Sequence, residues 1–300
     1  GGQAVIEGVM MRGPKLTALS VRMPDQSIST ETWDTPNSNK WYKKTPFIRG
    51  VFNFVESLTD GYKSLMKAAE KAGLDDEEEE PSKFEQKLRQ LLGDKFMPFL
   101  QGCILLFSLA MALFFFAFLP TTLVGFFKDY INHPLALSAL EGLTKIAILI
   151  LYLALISNMS DIKRVFMYHG AEHKTIFCYE HGEELTVENV RKYTRFHPRC
   201  GTSFLVIVLL LSILVSSMVS WDNLWMRVGL KVLCLPIIMS LSYECIKFAG
   251  RHDNLFTRIL SAPGLWTQRL TTREPDDSMI EVAIASMKKV IPENPDEALF

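Results

Sequence analysis

The sequence predicts an α-helical integral membrane protein, with four transmembrane helices in two hairpins and a mixed α+β cytoplasmic domain. Three observations lead there. Hydrophobic residues make up 48% of the 300-residue chain and gather into four runs, Phe99–Leu119, Leu135–Ile156, Ser203–Trp221 and Val228–Ala249. Each run is close to the ~20 residues that a helix needs to cross a bilayer core. Lys and Arg crowd into alternate connections. Lys163, Arg164, Lys174, Arg191, Lys192, Arg195 and Arg199 lie between runs two and three, and Lys247 in the last turn of run four is followed by Arg251, Arg258 and Arg269. The other two connections hold only Lys128 and Arg227. By the positive-inside rule, both termini and the long middle connection face the cytoplasm. Finally, the first 35 residues carry strand patterns, which gives the cytoplasmic part its β component.

Residues 1–44 form the first segment. Gly1–Pro14 contains four glycines, which fits a backbone packed closely against something else. Leu16–Met23 and Ser27–Trp33 are rich in Thr, Ser, Val and Ile. Pro24-Asp25-Gln26 between them supplies turn residues, so a β-hairpin is expected. A polar linker at 34–44 follows. The chain has no apolar h-region at its start, so no secretory signal is expected. It opens at Gly1 rather than Met, which reads as a trimmed N-terminus.

Residues 45–95 read as amphipathic helices joined by an acidic linker. Thr45-Pro46 suits an N-cap followed by Pro at the first helical position. Apolar residues then recur at Ile48, Val51, Val55, Leu58, Tyr62, Leu65 and Ala69, a helix of about seven turns over 46–72. Asp75–Glu80 is a run of six acids before Pro81 and reads as a solvated linker. Phe84–Leu92 is a short amphipathic helix ended by Gly93, leading along the membrane surface into the first span.

Residues 96–158 hold the first two spans and 203–249 the other two. Leu, Ile, Val and Phe cover every face of runs one and three. Runs two and four carry Glu141, Lys145, Lys231, Pro236 and Glu244. Glu141 and Lys145 stand at i,i+4 spacing and Glu244 is near Lys247, so structural pairing explains these charges better than a transport path.

The cytoplasmic stretch 159–202 contains the chemistry. Asp161–Tyr179 reads as a helix, Thr186 opens a short one, and His197–Gly201 is a turn into the third span. The C-terminal segment, 250–300, is mixed over Arg251–Thr272, and Asp277-Ser278 then caps a helix Met279–Val290.

His169-Gly170-Ala171-Glu172-His173 is the sharpest signal. On a helix, His169 and His173 share one face one turn apart. H-x-x-E-H is the pattern of inverted zincins, in which the Glu is the general base. Four of the six histidines fall within 29 residues, His169, His173, His181 and His197. Catalytic zinc takes three protein ligands and leaves a position for water. His169 and His173 with either His197 or Cys200 would supply that set. Glu172 would then shuttle the proton and Arg199 would steady developing negative charge. Cys178 and His181 are reserve ligands. Each residue also has a purely structural reading: Glu172 paired with Lys174 or Arg199, the histidines at the membrane interface, His197-Pro198 as a turn. Gly170 weakens the helical reading slightly.

A formal net charge of −1 gives no global pull toward nucleic acid. Of five cysteines, Cys103, Cys234 and Cys245 lie in spans and Cys178 and Cys200 on the reducing side, so no disulfide framework is expected.

Several stretches resemble the YqhQ-like bacterial membrane proteins: the opening Gly1–Arg12, Tyr168–Lys174, His197–Phe204 and Pro263-Gly264-Leu265-Trp266. The resemblance covers nearly the whole chain. It implies a bacterial cytoplasmic membrane location and a metal-dependent enzyme. His169, Glu172, His173, His197 and Cys200 are the matching residues. The N-terminal motif and the Pro-Gly-Leu-Trp segment are expected to fold over the His loop. Glu7 and Arg12 would line the cleft or, more simply, pack.

Two functions follow as expectations. The first is a divalent-metal enzyme, zinc for choice, most plausibly a hydrolase at the cytoplasmic membrane surface, acting on a lipid, a membrane peptide or an amphiphile. The second is a non-catalytic membrane factor that binds other membrane proteins in biogenesis or quality control. Helix 46–72 would then be the docking surface and the His–Cys cluster a structural site. The lipid bilayer is a partner in both.

Overall fold

A computed structural model describes residues 1–35, 40–73, 83–198, 200–221, 223–251 and 254–292. The acidic run Asp75–Glu80 and Arg199 lie outside the described residues. The protein is mostly helical, with one small antiparallel sheet, and divides into two units. One comprises 1–74, 150–211 and 236–300, the other 75–149 and 212–235.

In the first unit β1 (Gly2–Val5), β2 (Gly8–Arg12), β3 (Leu16–Arg22) and β4 (Ile28–Asp34) form a meander in the order β1-β2-β3-β4. The expected hairpin is β3–β4. Its turn is fixed by Asp25, whose carboxylate accepts from the Ser27 amide at 2.9 Å. The opening glycine-rich stretch is itself two paired strands, because Gly8 lets β2 close onto β3. A Cβ there would stand 2.4 Å from the Ser20 carbonyl oxygen.

The sheet is covered on both faces. Period-two alternation sends Val5, Met10, Leu19 and Val21 to one side, where Ala68 of α2 (Ile48–Lys71) packs. Val9, Met11 and Ala18 go to the other. There they meet Tyr168 and Ala171 of α7 (Ser160–Glu180) and Met279, Ala283 and Met287 of α12 (Asp277–Val290). Burial on both sides explains why Thr17–Val21 is buried without a break.

Several boundaries differ from the sequence reading. A short α1 (Trp41–Lys44) occupies part of the expected linker. Thr45 is not the cap of α2; its hydroxyl donates to the Trp41 carbonyl at 3.0 Å, and the helix starts after Phe47. α3 (Lys83–Leu92) and the left-handed Gly93 are as expected. Within 251–272, α11 (Leu255–Thr271) is a helix rather than mixed structure. It has Pro263 inside and a capping box at Asn254. Asp276, not Asp277, caps α12, accepting from the Met279 amide at 3.0 Å. α8 (Val187–Arg191) is capped by Thr186 as expected.

Among the described residues, three helical stretches are long and apolar enough to cross a membrane. The first, Phe99–Gly125, joins α4 (Phe96–Leu113), a π-helical turn Phe114–Phe118 and α5 (Leu119–Gly125). The π turn ends two residues before Pro120, which has no amide to give the ladder. The second is α6 (Pro134–Ile156) and the third is Leu224–Ala249 within α10 (Leu224–Arg251). The remaining run forms α9 (Gly201–Ser217), which is apolar but 17 residues long.

In the second unit the intramembrane charges are paired around Glu141, which is fully buried. It accepts from Arg227 at 2.9 Å, Lys145 at 3.1 Å, Thr121 at 3.3 Å and Lys231. The expected Glu141–Lys145 pair is therefore present, inside a larger network. Glu244, expected near Lys247, is gripped by Arg49 of α2.

Candidate metal centre

α7 carries His169, Glu172 and His173 through the middle of the first unit. Its central two turns are buried on nearly every face, including Tyr168, Ala171, Glu172, His173 and Thr175. Gly170 is there for clearance. A Cβ would stand 2.1 Å from the carbonyl oxygen of Arg273, whose amide donates to the Phe166 carbonyl at 2.8 Å.

The two imidazoles are oriented by backbone. His169 Nδ1–H donates to the Thr271 carbonyl at 2.8 Å, and His173 Nδ1–H donates to the Arg195 carbonyl at 2.6 Å. A carbonyl only accepts, so each ring carries a proton on Nδ1, and in the neutral form its lone pair is on Nε2. This is the second-sphere arrangement that fixes the tautomer of metal-binding histidines. His169 Nε2 lies 3.2 Å from Cys200 Sγ, and one donor atom from each of His169, His173 and Cys200 lies within 4.8 Å of the others. Cys200 precedes the first residue of α9, and its sulfur meets the Thr202 hydroxyl at 3.1 Å and amide at 3.4 Å.

Of the two expected third ligands, Cys200 is the one in this group. His197 stands beside it, its ring 5.6 Å from that of His173 and 4.6 Å from that of Phe177. Its Nε2 meets Glu180 at 3.3 Å. Gln268 of α11 clamps the His197 backbone, accepting from its amide at 2.8 Å and donating to its carbonyl at 2.7 Å. The reserve ligands are elsewhere. Cys178 sits in the hydrophobic core with its sulfur 3.6 Å from the Glu184 carbonyl, and His181 is exposed and bonded to Phe177.

Glu172 is 4% exposed, and its Oε2 has no hydrogen-bond partner among the described residues. Its Oε1 lies under β1, where a Cβ on Gly2 would stand 2.8 Å away. It does not pair with Lys174, which reaches Glu274 instead. Burial pushes the Glu172 carboxyl above the usual carboxylate range, with His169 pulling partly the other way. Burial also holds His173 below the usual imidazole range, against the pull of Cys200. A neutral imidazole is the ligand form.

A cavity of about 620 Å³ joins these groups. β1 lines one side, α7 another, and Tyr243 and Ile246 from the last turns of the α10 span a third. Glu7 and Arg12 are outside it. Glu7 binds Arg164 at 2.5 Å and the Tyr168 hydroxyl at 3.2 Å, and Arg12 binds Glu56 at 2.7 Å. The opening motif thus folds onto the His helix by packing. Leu265 and Trp266 belong to α11, whose Thr271 and Gln268 hold two of the histidines. The carbonyls of Thr271 and Arg195 and the amide of Gln268 had no signal in the sequence, since any residue supplies a carbonyl and a lone Gln on a helix is commonplace.

A family model described as "Protein of unknown function (DUF1385)" matches residues 45–293. A protein of Bacillus subtilis (strain 168), named "Uncharacterized protein YqhQ", is 36% identical over 294 residues, which is 97% of this chain and 92% of that protein. No solved structure matches the chain.

Proposed function

The chain belongs to the DUF1385 family of YqhQ-like proteins, and from the geometry of its His–Cys cluster we propose that it is a metal-dependent membrane enzyme, a hydrolase with zinc at its centre. One observation carries the reading. Two backbone carbonyls take the Nδ1 protons of His169 and His173, so both Nε2 lone pairs are left for the space they share with Cys200. Two nitrogens and one sulfur suit zinc, and three protein ligands leave a position open. The buried Glu172 oxygen without a partner supports the same reading, because a neighbouring cation would supply what burial has removed.

A bound zinc ion would acidify a water molecule and polarise the bond to be cut. Glu172 has the place for a general base: it lines the same cavity as the three ligands, and desolvation makes its carboxylate a stronger proton acceptor. It would take the proton of the attacking water and return it to the leaving group. The cavity is walled partly by the end of the α10 span, which favours a substrate that reaches the site from the membrane. The proposed topology has four spans in two hairpins, with α9 as the third, and with the cluster and both termini in the cytoplasm.

The test is metal analysis of chain purified in mild detergent. One equivalent of zinc is expected. Cys200→Ala should lower affinity by more than the ~10–100-fold typical of losing a ligand's hydrogen-bond partner. Glu172→Gln should keep the metal and lose turnover. Protein that binds no divalent ion would end the enzymatic reading. Metal retained alongside full cellular function of Glu172→Gln would favour a non-catalytic membrane factor with a structural ion.

A further inference from the structure

Two helices at the surface of the first unit turn their bulky apolar residues outward. On α2 the residues turned toward the protein are small: Gly50, Gly61, Ser64 and Ala68 are all buried. A Cβ on Gly50 would stand 2.7 Å from Ser240 Cα of α10, and one on Gly61 would meet the Gln3 side chain at 2.6 Å. Most charges of α2 also bend inward, Arg49 to Glu244, Glu56 and Asp60 to Arg12, Lys67 to Glu31, Lys71 to Ser29, while Lys63 and Glu70 stay exposed. What faces outward is Ile48, Phe52, Val55, Leu58, Tyr62 and Leu65, at spacings of three and four and 38% to 57% exposed. α11 repeats the apolar part of the pattern. Thr257, Gln268 and Thr271 are buried and Gly264 presses on Ser203, while Leu255, Ile259 and Trp266 are 63% to 75% exposed.

A helix facing water places its charges outward and its bulky apolar residues inward. On α2 most of the charges and the bulky apolar residues are both reversed, and on α11 the bulky apolar residues are turned outward beside exposed Arg258 and Arg269. Both helices are also seated at one end of the apolar helices. α2 packs on Ser240 and Glu244, in the closing turns of the α10 span, and its Phe54 ring lies 5.5 Å from that of Phe204 in the first turn of α9. α11 follows directly on α10 and holds Gly264 against Ser203, also in the first turn of α9. The end of a span is where hydrocarbon gives way to headgroups. Tyr62 and Trp266, the latter under the Arg269 guanidinium at 5.6 Å, are the residue types enriched at that depth.

We infer that α2 and α11 lie in the plane of the membrane, their bulky faces sunk into the boundary between headgroups and acyl chains, as a collar around the ends of α9 and α10. The occupant of both apolar stripes is phospholipid. A partner protein or second copy would need to cover two stripes that already continue the lipid-facing ends of spans, where bilayer is present without any partner. The collar has a consequence for the cluster. The inner side of α11 holds His169 through the Thr271 carbonyl and His197 through Gln268. One helix therefore has lipid on its outer face and the candidate centre on its inner face. The inference does not depend on a metal being bound.

The experiment places a benzophenone side chain at Phe52, Leu58, Ile259 or Trp266, one position at a time, in the full chain. The protein is reconstituted in nanodiscs of phosphatidylcholine and phosphatidylglycerol, irradiated, and read by mass spectrometry. Glu188, exposed on α8, serves as the control. Lipid adducts at all four positions, about tenfold above the control, are expected for faces buried in the interface. Adducts to a second copy, to other segments of the same chain, or lipid labelling no higher than at Glu188 would overturn the collar. All four positions are 46% to 73% exposed, so the larger group meets no packed core, and a Phe52→Glu variant supplies a second reading: lipid adducts at Leu58 should fall several-fold.

Discussion

Gly170 shows how one hydrogen in place of a methyl group sets the geometry of the cluster. A Cβ at this position would fall 2.1 Å from the Arg273 carbonyl oxygen, and that oxygen belongs to backbone that cannot swing aside. Gly170→Ala gains at most ~1 kcal/mol in helix propensity. The forced displacement of residues 272–275 costs about 1–3 kcal/mol, as overpacking does. Chemical denaturation should find the variant less stable, and if the proposed metal binds, its affinity should drop because Thr271 and His169 move apart. A variant as stable as the parent would show that the contact is slack. Glu172 permits a second prediction at this scale. Its folded pKa is raised by burial above the ordinary 4.5, so stability is fully present below pH 4.5 and is lost as pH rises through the folded value. His173 acts in the opposite sense. Its pKa is depressed by burial below 6.5, so metal-free protein loses stability as pH falls from 6.5 toward the folded value. Glu172→Gln should therefore raise the melting temperature of chelator-treated protein at neutral pH and leave the acid limb from His173 unchanged. A melting temperature that is unaltered at neutral pH would mean the carboxylate is already compensated.

At the scale of elements, the helices were legible wherever period and caps agreed. α7, α8 and α3 fall where the sequence puts them, because amphipathic spacing and Thr186 or Gly93 mark their ends. α11 was not legible. Pro263-Gly264 reads as a break, yet Gly264 is needed for contact with Ser203 and the helix runs through. The triad of His169, His173 and Cys200 was visible as candidates, but the choice between Cys200 and His197 was not. That choice depends on where the 195–200 turn is pinned, and Gln268, 71 residues away from His197, does the pinning. The same limit hid the Glu141 network. Spacing revealed only Lys145, while Arg227 and Lys231 arrive from another helix. One carboxylate there faces three cations, all buried. Glu141→Ala removes the shared anion and leaves Lys145, Arg227 and Lys231 mutually repelling, at a cost of about 3–5 kcal/mol. Thermal unfolding in detergent should show that loss, and the loss should shrink when Lys231→Met is added. An additive double variant would mean the cations are screened independently.

For the whole molecule, the membrane path follows from which segments share a core. The sheet, α7 and α12 bury Val9, Met11, Tyr168, Ala171, Met279 and Ala283 against one another, so all three lie on one side of any bilayer. The chain between β4 and α7 must then cross an even number of times, and so must the chain between α7 and α12. Phe99–Gly125 and α6 supply a matched pair in the first interval. In the second, α10 carries an apolar stretch of 26 residues, and it can cross only if another segment of that interval crosses as well; α9 is the apolar helix there. At 1.5 Å per residue, the 17 residues of α9 span roughly 26 Å, at the short end of what a hydrocarbon core of ~30 Å accepts. Parity therefore leaves two arrangements for this interval, both helices crossing or neither, and the proposed four spans are the first of them. The Lys and Arg distribution points the same way, since Lys128 stands alone in the connection 126–133 and the connection 218–223 has no Lys or Arg. Membrane-impermeant labelling of intact cells should modify cysteines introduced at Asp129 and Ser220 and spare one introduced at Glu188. Labelling at Asp129 but not at Ser220 would mean that α9 and α10 re-enter from the cytoplasmic side as a hairpin. The Glu141 cluster, which ties Arg227 to the Ser216 and Ser220 carbonyls, would then close the tip of that hairpin instead of capping its outer end.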